Sequence, residues 1–189
     1  MRIISKNDPI WIRVAKRVGG KYVMAWADTR TAAINRRAVA LALQEVGTTE
    51  HPPGSNEQRY GKEWREDGVP WCGLAVASWW RRAGHNITRE LALLIDYVPE
   101  LVSLAKQKQY RLTIVHWTRV KPGDAVAFDF DGGAADHVGL FLEWIDKKAG
   151  TFRAVEGNTG IGNNSNGGQV MVRTRRIEDV EAFVRKLRG

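Results

Sequence analysis

A disulfide within the chain is impossible here. The 189 residues include one cysteine, Cys72, which excludes an intrachain disulfide and any metal cluster built on several cysteines. Histidine is scarce too, with four: His51, His85, His116 and His137. No apolar run approaches the ~20 residues of a membrane-spanning helix. Met1 to Gly20 carries Arg2, Lys6, Arg13, Lys16 and Arg17 and has no continuous apolar stretch before a small-residue cleavage site, so no signal peptide is expected. Synthesis in a reducing cytoplasm is the expectation. There is no internal repeat, arginine-rich arm or helix-turn-helix pattern, and dispersed basicity is a weak nucleic-acid signal.

Positive charge, by contrast, is in excess. Lysine and arginine number 29 against 21 acidic residues, a net charge of +8. Such a surface favours a polyanion: nucleic acid, an anionic membrane or the bacterial cell wall. The length suits one domain and lets about 70% of the unfolded surface be buried, so no disulfide or metal staple is needed. Eight tryptophans are many for this length; they serve either core packing or a cleft that stacks on sugars or peptides.

The patterning changes along the chain. Asn7-Asp8-Pro9 reads as a helix start, and Trp11, Val14, Ala15 and Val18 recur at helical spacing up to Gly19. A hairpin turning at Gly19-Gly20, with Tyr22 to Ala27 pairing back, is the competing reading; the helix is preferred. A second helix is expected from Thr31 to Val46, ended by Gly47, and then a loop from Thr48 to Gly61 around Pro52-Pro53-Gly54-Ser55-Asn56. A short stretch, Lys62 to Val69, leads to Pro70. Trp71 to Ala83 is helical again, with Gly84 as its stop, and Pro99 opens a further helix to about Gln109. The period then becomes two. Ala125 to Phe130, His137 to Ile145, Thr151 to Glu156 and Gln169 to Arg175 read as strands, with Val180 to Val184 a last strand or short helix. Helices first and strands afterwards predict an α+β fold with an antiparallel sheet.

Cys72 opens a predicted helix. A lone cysteine is usually a small buried hydrophobe, but backbone N–H groups and the helix dipole at this position favour a thiolate. The same N–H groups suit the oxyanion of a tetrahedral intermediate. A thiolate nucleophile needs a base. His51, in a Pro-rich loop, and His85, after a helix-ending glycine, read as solvated; His116 is open. His137 begins an apolar strand after a glycine-containing turn, at the rim of a sheet. The base needs a carboxylate or amide to orient it. Glu156 and Asn158 end the next strand and, by alternation, share a face. If the two strands form a hairpin with the loop Asp146 to Ala149, Ile145 faces Gly150 and His137 lands opposite Asn158. Glu156 is then its diagonal neighbour.

Four blocks now stand in order: Pro70-Trp71-Cys72-Gly73-Leu74-Ala75-Val76, Pro122-Gly123-Asp124-Ala125-Val126-Ala127-Phe128, His137-Val138-Gly139-Leu140 and Val155-Glu156-Gly157-Asn158-Thr159. Together with the upstream loop Glu50-His51-Pro52-Pro53-Gly54-Ser55-Asn56, they resemble the CHAP domain, the cysteine, histidine-dependent amidohydrolases and peptidases. The resemblance spans about Ala38 to Val184. It implies a papain-like fold, with N-terminal helices, the cysteine helix among them, packed on a C-terminal antiparallel sheet. Residues 31–189 would be the catalytic domain and residues 1–30 a basic, helical extension packed on it. The implied activity is cleavage of a peptidoglycan amide, by a stem-peptide endopeptidase or an N-acetylmuramoyl-L-alanine amidase. Cys72 would be the nucleophile and His137 the general base, with Glu156 and Asn158 orienting it. Asn56 and Tyr60 are candidates for a second oxyanion donor, and Trp71 joins them as a candidate substrate contact.

Gly73 departs from relatives, which often have alanine there. Asp136 either raises the proton affinity of His137 or points to solvent on the opposite face. The loop Gly157 to Gly168 is a mobile cleft wall or a plain connector. Some relatives bind calcium, and Asp129-Phe130-Asp131-Gly132 has an alternating-acid look, but it lacks the later bidentate glutamate of an EF-hand. No metal or other cofactor is expected. A single-domain phage lysin, made in the host cytoplasm, acting as a monomer on the wall and with no specific nucleic-acid partner, fits these features. A tail-associated or secreted effector with the same chemistry, a non-catalytic wall-binding module and a nucleic-acid-binding protein are the alternatives.

Overall fold

The computed structural model describes residues 11–18 and 21–188. Strands β1 (Trp11–Val18) and β2 (Lys21–Asp28) form an antiparallel hairpin that pairs Trp11 with Asp28 and Val18 with Lys21. This corrects the helix expected after Pro9. The segment is rich in β-branched and aromatic residues, and two glycines separate its halves, the hairpin signal. Asn7-Asp8-Pro9 and Gly19-Gly20 lie outside the described residues.

Five α-helices follow: α1 (Thr29–Gln44), α2 (Arg59–Trp64), α3 (Cys72–Ala83), α4 (Arg89–Asp96) and α5 (Val98–Lys106). A six-stranded antiparallel sheet completes an α+β fold. Its strands are β3 (Leu112–Val115), β4 (Ala125–Phe128), β5 (His137–Asp146), β6 (Thr151–Thr159), β7 (Gln169–Arg176) and β8 (Val180–Lys186), in the order β3-β8-β4-β5-β6-β7. Val180–Lys186 is therefore a strand. Helix α4 and strand β3 were not expected from the sequence. Thr88 nevertheless caps α4 by accepting the Leu91 N–H at 3.2 Å.

Helix α3 is the hub. It packs against α1, α2, α4, β5 and β6, and ten of its twelve residues are buried. A helix apolar on every side belongs in the interior. Small residues allow the close approach. A Cβ on Gly73 would overlap the α4 backbone at Asp96 and lie 2.6 Å from the Ile95 oxygen. That contact accounts for glycine directly after the cysteine. Gly84 ends the helix in the left-handed region, at φ 116°.

Trp64, Trp71, Trp79 and Trp80 are fully buried. Each large apolar side chain contributes about 1.5–3 kcal/mol on burial. The indole N–H groups of three find acceptors: Trp64 donates to Ser78 (2.7 Å), Trp79 to Glu45 (2.6 Å) and Trp80 to the Gly123 carbonyl (3.1 Å). These four tryptophans are core, not sugar platforms. Among the described residues, no helix is long and apolar enough to cross a membrane.

The β5–β6 register fixes the site. Gly139 pairs with Glu156, Leu140 with Val155 and Phe141 with Ala154, the phase expected from the sequence. The turn end differs. Two irregularities shift the pairing, so that Asp146 meets Thr151 rather than Ile145 meeting Gly150.

Candidate active site

Cys72 is the first residue of α3 and is 3% exposed. Trp71, before it, supplies no side-chain cap. Asp96, from the end of α4, instead accepts the Leu74 N–H at 3.3 Å. Cys72 lies on the wall of an open cleft of about 490 Å³, with Asp96, Tyr97, Pro99, Ala135 and Asp136 among its neighbours there. Burial pushes the Asp96 carboxyl up to about 7, against the lowering effect of the Leu74 N–H.

His137 begins β5 and is completely buried. Its Nε2 lies 3.1 Å from Glu156 Oε2. The ring sits beside Phe128 and Phe130, with centroids 6.0 Å away in both cases. Burial alone would disfavour the imidazolium, but Cys72 and Glu156 outweigh it and raise the pKa to about 9. Nδ1 has no formed hydrogen bond. With Nε2 turned to Glu156, Nδ1 is the nitrogen left for the thiol. The Cys72–His137 pair has no formed hydrogen bond here, the looser geometry common before substrate binds.

Glu156 is also fully buried. Burial works against its charge, yet Arg175 and then His137 prevail and hold the carboxyl below its ordinary range. Arg175 comes from β7 and grips the carboxylate with two donors, Nε to Oε1 at 2.8 Å and Nη2 to Oε2 at 2.5 Å. Nothing local in the sequence singles out Arg175. The available signal was physical: a carboxylate destined for the core needs a cation, and the expected neighbouring strand carried Arg173 and Arg175.

The other candidates fall elsewhere. Asn158 adopts a left-handed φ of 54°, which breaks strand alternation. Its side chain turns from His137 and bonds Asn166 (3.0 Å), Asn56 (3.4 Å) and the Gly168 N–H (3.1 Å). Asn158 and Asn56 thus brace the loop after β6, and neither orients His137. Tyr60 and Trp71 are fully buried and stack on each other with centroids 5.3 Å apart. Tyr60 donates its hydroxyl to Glu45 at 2.5 Å, so it is no oxyanion donor, and Trp71 is no substrate platform.

Of the remaining histidines, His51 and His116 are exposed. His85, expected to be solvated, is instead buried against Asn35, with Nε2 2.6 Å from Oδ1. Burial, aided by Lys186, pulls its pKa down to about 3. Asp136 does not simply face solvent: it is half-buried on the cleft wall, and burial raises its carboxyl against the pull of His137. Asp124 is a brace, fully buried and held by Arg185 at 2.8 and 2.6 Å. Asp129 Oδ1 accepts the N–H groups of Asp131, Gly132 and Gly133, so the alternating acids build a turn. Among the described residues, no group of three His, Cys, Asp or Glu side chains is placed to hold a metal.

The arrangement offers a thiol at a helix N-terminus, a buried imidazole able to carry a proton, and an ionised carboxylate that fixes the imidazole. Comparison with protein-family models, with curated proteins and with solved structures found no match for this chain.

Proposed function

We propose that this chain is a papain-like cysteine amidohydrolase or peptidase of the CHAP type, acting on peptidoglycan. The observation that carries this reading is the convergence of Cys72, at the start of α3, with the buried His137–Glu156 pair. The Cys72 sulfur attacks a scissile amide carbonyl. The oxyanion that forms is held by backbone N–H groups at the start of α3. His137 passes its proton to the departing amine, leaving a thioester on Cys72. A water then gives a proton to His137, attacks the thioester and releases the carboxylate product and the free thiol. Glu156 keeps the imidazole oriented and stabilises its charged form throughout.

The acidic side chains on the cleft wall, Asp136 and, above about pH 7, an ionised Asp96, suit a substrate with a positive group near the scissile amide. A diamino acid in a stem peptide provides one. The net charge of +8 suits an anionic wall. A phage lysin made in the host cytoplasm and acting as a monomer is the role that fits best. A secreted or tail-associated effector would use the same residues.

The test is release of new amino groups from purified peptidoglycan by wild type, Cys72→Ala and His137→Ala. Wild type should release them and both folded variants should not. Full activity in Cys72→Ala rules out the thioester route. No release by wild type, with steeply salt-dependent binding to DNA, favours the nucleic-acid reading.

A further inference from the structure

We infer that Arg175 is a positioning residue of the catalytic unit, which makes the proposed triad a four-residue device. The inference rests on the cysteine-hydrolase reading for its kinetic consequence and on geometry for its physical one. A carboxylate as deeply buried as Glu156 would take up a proton if left alone. Arg175 is the foremost of the groups that keep it ionised, ahead of His137. Its two donors engage both carboxylate oxygens, and Oε2 is the atom that also faces His137 Nε2. The fork therefore sets both the charge of Glu156 and the direction of the oxygen that orients the base.

Arg175 is itself held on several sides. Nη1 donates to Asn164 at 2.9 Å and Nη2 to Thr159 at 3.4 Å. The guanidinium carbon lies 4.7 Å from the Phe130 centroid and 5.3 Å from that of Phe128. Those two rings also flank His137. Cation, carboxylate and base thus share one aromatic enclosure spanning β4 to β7. Charge balance points the same way. A thiolate, an imidazolium and a carboxylate would leave one net negative charge in a buried site, and Arg175 cancels it. With this cation absent, Glu156 takes up a proton more readily and its hold on the His137 ring loosens.

The experiment compares wild type with Arg175→Met, Arg175→Lys and Glu156→Gln. Carboxyl-labelled glutamate NMR follows the Glu156 titration, a readout that needs no substrate; Glu156→Gln assigns the resonance. Wild-type Glu156 should titrate below its ordinary value, and in Arg175→Met it should titrate at least one pH unit higher. Arg175→Lys, with charge but no fork, should fall between them. On peptidoglycan, Arg175→Met should lower kcat by about 10- to 100-fold, a part of the ~10²–10⁴ supplied by a positioned acid–base group, with KM nearly unchanged. Its acid limb should move up with the Glu156 titration. A Glu156 titration unchanged in Arg175→Met, or in Arg175→Lys should the methionine variant not fold, overturns the inference and leaves Arg175 as a structural ion pair. Failure of wild type to cleave peptidoglycan would sink the proposed function, while the carboxyl titration would still decide the role of Arg175.

Discussion

Replacing Glu156 with glutamine is the sharpest perturbation available at this site, because it changes charge while nearly conserving shape. Arg175 is 5% exposed and gives two hydrogen bonds to the carboxylate. The amide leaves that guanidinium buried without its counter-charge. Removing one partner of a buried ion pair typically costs about 3–5 kcal/mol. At a urea m-value of about 2 kcal/mol/M, the midpoint should fall by about 1.5–2.5 M. Chemical denaturation at pH 7, followed by tryptophan fluorescence, reads this directly, since four tryptophans are core. The double variant Glu156→Gln/Arg175→Met removes both charges. It should regain part of the loss, since neither partner is then left uncompensated. His137 should also lose much of its raised proton affinity, because Glu156 is one of its two supports. A midpoint shift below about 0.5 M, with His137 still titrating near 9, would refute the reasoning.

Wild-type stability should carry an alkaline signature. The His137 pKa is raised from 6.5 to about 9, so its contribution, about 3 kcal/mol, is complete below pH 6.5 and lost as pH rises through 9; urea midpoints at pH 6 and pH 9.5 test this against His137→Gln. Glu156 behaves oppositely: its lowered pKa stabilises the fold above the ordinary carboxylate range, and this is lost as pH falls through the folded value. Gly73→Ala should cost about 1–3 kcal/mol by overpacking, read as a lower Tm, because its Cβ meets the α4 backbone. Asn158→Gly keeps the left-handed φ while deleting the loop-bracing amide; Tm should fall while the His137 titration, followed by NMR, stays in place.

The sequence made most of the sheet and the cysteine helix readable, for identifiable reasons. Gly84 marked the end of α3, and alternation marked β4 to β7. The β5–β6 phase at the site end came out as expected although the turn end did not, because two irregularities compensate for a displaced turn. That is why His137 and Glu156 could be paired from spacing alone. Asn158 defeated the same logic: one residue at φ 54° turns a side chain out of the strand pattern, and asparagine tolerates that conformation. Tyr60 and Trp71 read as cleft residues because aromatic type does not reveal burial; their stacking depends on α2 meeting α3. Arg175 was hidden because its partner lies across a strand pair, and nothing local distinguishes it from Arg173 and Arg176 on either side. The N-terminal hairpin is hard to tell from a helix in the sequence because short apolar runs fit both periods.

The central claim is that Cys72 is a nucleophile activated by His137 and Glu156, and the alkylation rate of Cys72 at pH 6 tests it most directly. Iodoacetamide is small enough for the cleft, and mass spectrometry of the single cysteine gives the rate without interference. The account predicts labelling much faster than that of a model thiol, slowed in His137→Ala and in Glu156→Gln. Labelling no faster than a model thiol, or unchanged in both variants, would contradict it.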